Sequence, residues 1–167
     1  RYWVEDLLGA GLSHSFGNLF SDPIMRIIFN LAMAEINKTE TPGSMLYGNT
    51  SDYGFELDSN FGALASFGMG DIIGQMYKPT GHAIVPIPIT EAIRIPTAEE
   101  IIQAHMVIDM TMKKSPCVAS FLDWPKILAE KDLLVATGRI FFERVMNGLD
   151  GMGVDTEHPG EIVATLK

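Results

Sequence analysis

A single cysteine, Cys117, serves all 167 residues. An internal disulfide is therefore excluded, and a reducing, cytoplasmic setting is expected. Basic residues are also few. Twelve Lys and Arg stand against 21 Asp and Glu, a formal charge of −9. The twelve are scattered, so the chain is a poor ligand for nucleic acid or an anionic membrane surface. Long apolar runs are missing as well. Uncharged stretches such as 59–70 are interrupted by Gly, Ser and Asn, and no membrane span is expected. Three common signatures are absent: the phosphate-binding loop, G-x-G-x-x-G and G-x-S-x-G. What remains is an ordinary globular composition, 47% hydrophobic and 20% charged, rich enough to bury a core.

Punctuation divides the chain into short apolar runs and helical patterns. Residues 3–8 read as the end of a helix closed by Gly9 and Gly11, followed by a short strand at 12–16. Asp22-Pro23 offers an N-cap with proline at the first helical position, and the apolar spacing from Ile24 to Ile36 is helical. Met45-Leu46-Tyr47 reads as a second short strand, and 48–59 as a polar loop. A second helix is expected over 61–76. Its many small residues, Gly62, Gly68, Gly70 and Gly74 among them, suggest close packing against a sheet, because each glycine costs a helix about 1 kcal/mol. The run 82–89 reads as a third strand, despite Pro86 and Pro88. Thr97 and Glu100 form a capping box that opens a helix over 98–113, which Ser115-Pro116 should stop. A long helical region follows from about 124 to 149, with a break expected near Asp132.

Alternating strands and helices imply a parallel sheet with right-handed crossovers. The expected fold class is therefore α/β. The three units are about what the last third of a (β/α)8 barrel would show. Residues 1–115 are expected to form this C-terminal part of a barrel, and 116–167 a helical extension. The apolar stretch 162–166 runs almost to the last residue, so the sequence is expected to be part of a longer protein.

In parallel α/β folds, ligands meet the C-terminal ends of strands. Glu91 follows the third strand candidate; it reads either as a ligand-facing carboxylate or as a solvated loop residue. The loop holding Asn49, Asp52, Tyr53, Phe55 and Asp58 could offer polar groups and a stacking ring, or be an ordinary polar loop. His14 stands in another such loop and could act as an acid or base, or be structural. His105 and Asp109 share a helix face four residues apart, which reads as a surface pair rather than a metal site. The corrinoid pattern D-x-H-x-x-G is not met near His158, where Asp155 stands three residues before the histidine and Gly160 two after.

Three segments carry a resemblance. Glu91-Ala92-Ile93-Arg94-Ile95-Pro96-Thr97 is similar to an E-A-I-G-I-P-T segment, Gly17-Asn18-Leu19-Phe20-Ser21-Asp22 to G-N-M-x-x-D, and Phe55-Glu56-Leu57-Asp58 to F-x-x-D. In this order, over most of residues 10–115, they resemble the large, epsilon-subunit family of glutamate mutase (methylaspartate mutase). The resemblance implies an isomerase barrel that caps adenosylcobalamin, with the cobalamin seated largely on a separate Rossmann subunit or domain. It implies radical rearrangement of a small amino or carboxylic acid. By residue matching it gives Glu91 the adenosyl ribose, Ile95 an apolar contact at the corrin or adenosyl group, and Phe55 an aromatic contact. Two positions depart from the family: Ile87 stands where it has lysine, and Arg94 where it has glycine. Two other readings stay open. One is a barrel lyase or isomerase without corrinoid, with Glu91 as base. The other is a non-catalytic interaction subunit using the helices at 98–150 for association.

Overall fold

The computed structural model describes residues 2–14, 22–36, 45–46, 52–79 and 83–166. A π-helical turn, Tyr2–Leu7, is followed by β1 (Ser13–His14), α1 (Pro23–Ile36), β2 (Met45–Leu46), α2 (Leu57–Tyr77), α3 (Ala98–Ala119), α4 (Trp124–Gly151) and α5 (Pro159–Thr165). The expected α/β barrel fragment is not found; the protein is all-α. The one β ladder among the described residues pairs β1 with β2 in parallel over two residues each.

The third strand candidate shows why the sheet fails. Ala83 forms an isolated bridge, but residues 84–88 join no ladder. Pro86 and Pro88 bring no N–H groups, and alternation places both on the same edge of an extended segment. The carbonyls of the opposite edge are taken by side chains instead. Tyr53 Oη donates to the Ile87 carbonyl at 3.2 Å, and Asn60 Nδ2 to the Ile89 carbonyl at 2.7 Å. A helix and its preceding loop thus occupy the place where a neighbouring strand would pair.

Helix on helix packing carries the fold. α2 lies against both α1 and α3, and α1 also packs on α4. One apolar cluster joins Leu64, Phe67 and Ile72 of α2 to Ala104 and Ile108 of α3, with Tyr53, Ile87 and Ile89 beneath the loops. A second joins Ile27, Ile28 and Leu31 of α1 to Ile73 of α2 and Ile127 of α4. Being covered on two sides, α2 buries residues around most of its girth. Its pattern is therefore apolar but weakly amphipathic.

The glycines of α2 serve helix neighbours, not a sheet. A Cβ on Gly70 would lie 2.8 Å from the Pro23 carbonyl oxygen and 3.0 Å from Arg26 Cβ; one on Gly74 would lie 2.9 Å from Asn30 Cβ. Exposed Gly62 has nothing within 4 Å of that position. Gly62→Ala should therefore raise the unfolding free energy by about 0.5–1 kcal/mol, through backbone entropy alone. Gly70→Ala should lower it by about 1–3 kcal/mol, because the Pro23 backbone cannot yield cheaply. Denaturant unfolding of the two variants checks the opposite signs.

The close approach brings a buried polar group together. Arg26 Nε and Nη2 donate to the two carboxylate oxygens of Asp71 at 2.6 and 2.7 Å. Asn30 Nδ2 donates to Asp71 Oδ1 at 2.9 Å and to the Arg26 carbonyl at 3.1 Å. All three residues are buried.

Helix ends follow local chemistry closely. Asp22 Oδ1 accepts from the backbone N–H groups of Ile24 and Met25, capping α1. Asp123 caps α4, and the ring of Trp124 stacks on Tyr77 with centroids 4.2 Å apart. α4 runs unbroken through Asp132. α3 also continues one turn past Pro116, so the division expected at 115/116 lies within a helix. Pro116 and Met112 both stand on an exposed side. Water there can take the carbonyl that the missing proline N–H leaves without its helical donor. No helix among the described residues is long and apolar enough to cross a membrane.

Candidate cofactor-binding site

Asn60 organises the region that holds the residues singled out from sequence. It sits in the first turn of α2 and is fully buried. Its Oδ1 accepts from the Gly54 N–H at 2.9 Å, and its Nδ2 donates to the Gly54 carbonyl at 2.8 Å and the Ile89 carbonyl at 2.7 Å. One side-chain amide thus ties the loop before α2 to the segment before α3. Phe55 directly follows Gly54, and Glu91 stands two residues after Ile89, so both lie beside the same clamp.

The loop carrying Glu91 and Ile95 is built from turns. Glu91 N–H donates to the Pro88 carbonyl at 3.1 Å, and the N–H groups of Ile93 and Arg94 both donate to the Thr90 carbonyl at 2.9 Å. The capping box then fixes the far end. Glu100 Oε2 accepts from the Thr97 backbone N–H at 2.7 Å, while Thr97 Oγ1 accepts from the Glu100 N–H at 3.4 Å. Arg94 spans the loop, donating to both Glu100 oxygens at 2.6 and 3.0 Å and to the Ile95 carbonyl at 3.0 Å. The Thr97 backbone N–H holds the Glu100 carboxyl below its ordinary pKa. Partial burial opposes that shift, and the Arg94 guanidinium and Thr90 hydroxyl add to it. The loop support from Glu100 is therefore present above the ordinary carboxylate range and lost as pH falls through the lowered value. Arg94, the departure from the family pattern, is thus engaged in holding its own loop.

With the backbone held, the side chains point outward. Phe55 is 86% exposed and Ile95 91% exposed, and Glu91 is exposed too. Among the described residues no parallel sheet edge places Phe55 and Glu91; the helix-borne Asn60 ties the segments beside them. Asn18 and Asn49 lie outside the described residues, as does the side chain of His14.

The other sequence candidates do not gather into a site. Asp109 pairs with Lys113, at 2.5 Å, rather than with His105. Cys117 is exposed on α3. Among the described residues no three His, Cys, Asp or Glu converge as metal ligands.

The sequence pattern runs the polar loop to 59 and starts the helix at 61, and so passes over Asn60. A signal existed. Asn60, Leu64 and Phe67 follow an i, i+4, i+7 spacing, which puts the asparagine on the buried face of α2. No family model, curated protein or solved structure matches the chain.

Proposed function

We propose that this chain supplies adenosyl-contacting loops to the catalytic subunit of an adenosylcobalamin-dependent carbon-skeleton mutase. It works with a cobalamin-binding Rossmann subunit or domain on a small amino or carboxylic acid, in the reducing cytoplasm where Cys117 stays a thiol. The observation that carries this reading is the Asn60 clamp, which sets the loops of Phe55 and Glu91 side by side.

The residue chemistry fits the adenosyl half of the cofactor. A carboxylate accepts hydrogen bonds only, and a ribose diol offers two hydroxyl donors. An exposed aromatic ring can stack on a purine, and an exposed aliphatic side chain can exclude water beside it. Glu91, Phe55 and Ile95 take these three roles. When bound, the cofactor supplies the radical chemistry, while the protein binds, orients and shields.

Glu91→Gln tests the reading in the full-length protein with its cobalamin-binding partner. The variant keeps the shape but loses the charge that strengthens two O–H bonds. Charge-assisted bonds contribute about 1.5–3 kcal/mol, so adenosylcobalamin should bind about ten- to a hundredfold more weakly. Methylcobalamin has no ribose on its upper face, and its affinity should hold. Equal loss for both cofactors, or loss for neither, would refute the assignment.

A second reading, a non-catalytic interaction subunit, has its own supporting observation. Ile102, Met106 and Met110 on α3, and Ile140, Phe141 and Phe142 on α4, are all exposed. A cleft of about 430 Å³ between α1 and α4 is also lined by Phe29, Met33, Leu134, Val135 and Phe142. Contiguous exposed apolar surface marks association sites. This reading gains if adenosylcobalamin fails to bind while the protein elutes as a larger assembly.

A further inference from the structure

The Asn60 amide makes three of the four hydrogen bonds open to it, all to backbone. Its two donor bonds differ in consequence from its acceptor bond. Oδ1 only secures Gly54 to α2. Nδ2 reaches two carbonyls at once, that of Gly54 in one loop and that of Ile89 in the segment leading to the other. Tyr53 adds a parallel tie through its hydroxyl to the Ile87 carbonyl. Ile87 and Ile89 are themselves buried against Leu64 and Phe67, so the tie is anchored in the core.

We infer that Asn60 is a positioning residue: through Nδ2 it sets the spacing between Phe55 and Glu91, so that they act as one nucleoside-binding face. This rests on the adenosyl-binding reading above. It adds a determinant that the family resemblance does not assign, acting without touching the ligand.

Asn60→Asp isolates the proposed role. The substitution keeps the shape and the oxygen that accepts from Gly54 N–H, but it removes both N–H donors. A carboxylate oxygen then faces two carbonyl oxygens where Nδ2 stood at 2.7 and 2.8 Å, and the loops are driven apart. Binding of adenosylcobalamin and of methylcobalamin is measured in the full-length protein with its partner, with and without Glu91→Gln. The expected result is at least a tenfold loss of adenosylcobalamin affinity, with methylcobalamin changed less than twofold. In the Glu91→Gln background, Asn60→Asp should cost less than threefold more, because the contact it positions is already gone.

Equal losses for the two cofactors would make Asn60 a mere fold support and overturn the inference. So would a full tenfold further loss on top of Glu91→Gln. If Asn60→Asp does not fold, Tyr53→Phe decides by the same comparisons. It removes the hydroxyl tie to Ile87, and a threefold or greater loss confined to adenosylcobalamin is expected; a smaller loss would overturn the inference. Glu91→Gln alone reports on the underlying reading. Should it fail to separate the cofactors, both fall; should it separate them while the Asn60 and Tyr53 variants do not, only the positioning role falls.

Discussion

Asp71→Ala should lower the unfolding free energy by about 3–5 kcal/mol, a large share of the roughly 5–15 kcal/mol a domain possesses. Asp71 accepts two hydrogen bonds from Arg26 and one from Asn30, all inside the α1–α2 contact. Removing the carboxylate takes the Asp71 charge away from a guanidinium buried to 1% exposure. It also strips Asn30 Nδ2 of one acceptor. The helices are packed closely there, Gly70 against the Pro23 backbone and Gly74 against the Asn30 side chain, which leaves little room for water. The pair itself need not stabilise the fold. Taking two charges out of water costs about as much as their attraction returns. Arg26→Met combined with Asp71→Leu should therefore lose less than Asp71→Ala alone. Guanidinium unfolding followed by helical circular dichroism measures both; a loss under about 1 kcal/mol for Asp71→Ala would contradict the geometry.

Features that depend on a few neighbouring residues were legible. The Asp22 cap, the Thr97–Glu100 box and the helices that follow them are local hydrogen-bond chemistry, readable wherever the residue types stand in order. Short strands over 12–16 and 45–47 are also legible, and the ladder at 13–14 and 45–46 falls within them. Their assembly is not. An apolar run says that a segment is buried, not which backbone groups its neighbours offer. The run 82–89 reads as a sheet strand, yet Tyr53 and Asn60 donate to the Ile87 and Ile89 carbonyls. The small residues of α2 signalled close packing correctly, but Pro23, Arg26 and Asn30 of a helix make the approach. Of the candidate site, Phe55, Glu91 and Ile95 could be named from motif positions. The clamp that puts two of their loops together rests on contacts across 29 and 34 residues, beyond any local pattern. Arg94 shows the same limit: from sequence its partner, Glu100, reads only as half of a capping box.

Two phenylalanines separate what holds the fold from what faces solvent. Phe67 is 1% exposed and lies in the apolar cluster that joins α2 to α3. Its ring stacks on Tyr53 with centroids 6.4 Å apart, and Arg26 Cζ stands 5.2 Å from its centroid. Phe67→Ala should cost about 3–5 kcal/mol, from lost burial and an unfilled cavity. Loss of the ring contacts acts in the same direction, since cation–π and aromatic pairs are worth about 0.5–1.5 kcal/mol each. Tyr53 would also lose the surface that fixes its ring, loosening its bond to Ile87 and with it the loop before α2. Phe55 stands two residues from Tyr53 and is 86% exposed. Phe55→Ala should change stability by no more than about 0.5 kcal/mol, as exposed substitutions do. Under the proposed function it should nevertheless weaken adenosylcobalamin binding, because its ring is free to meet the adenosyl group. Chemical denaturation and cofactor titration on the same two variants give the comparison. A stable Phe55→Ala protein with unchanged adenosylcobalamin affinity would remove Phe55 from the site, whatever Phe67→Ala does to the core.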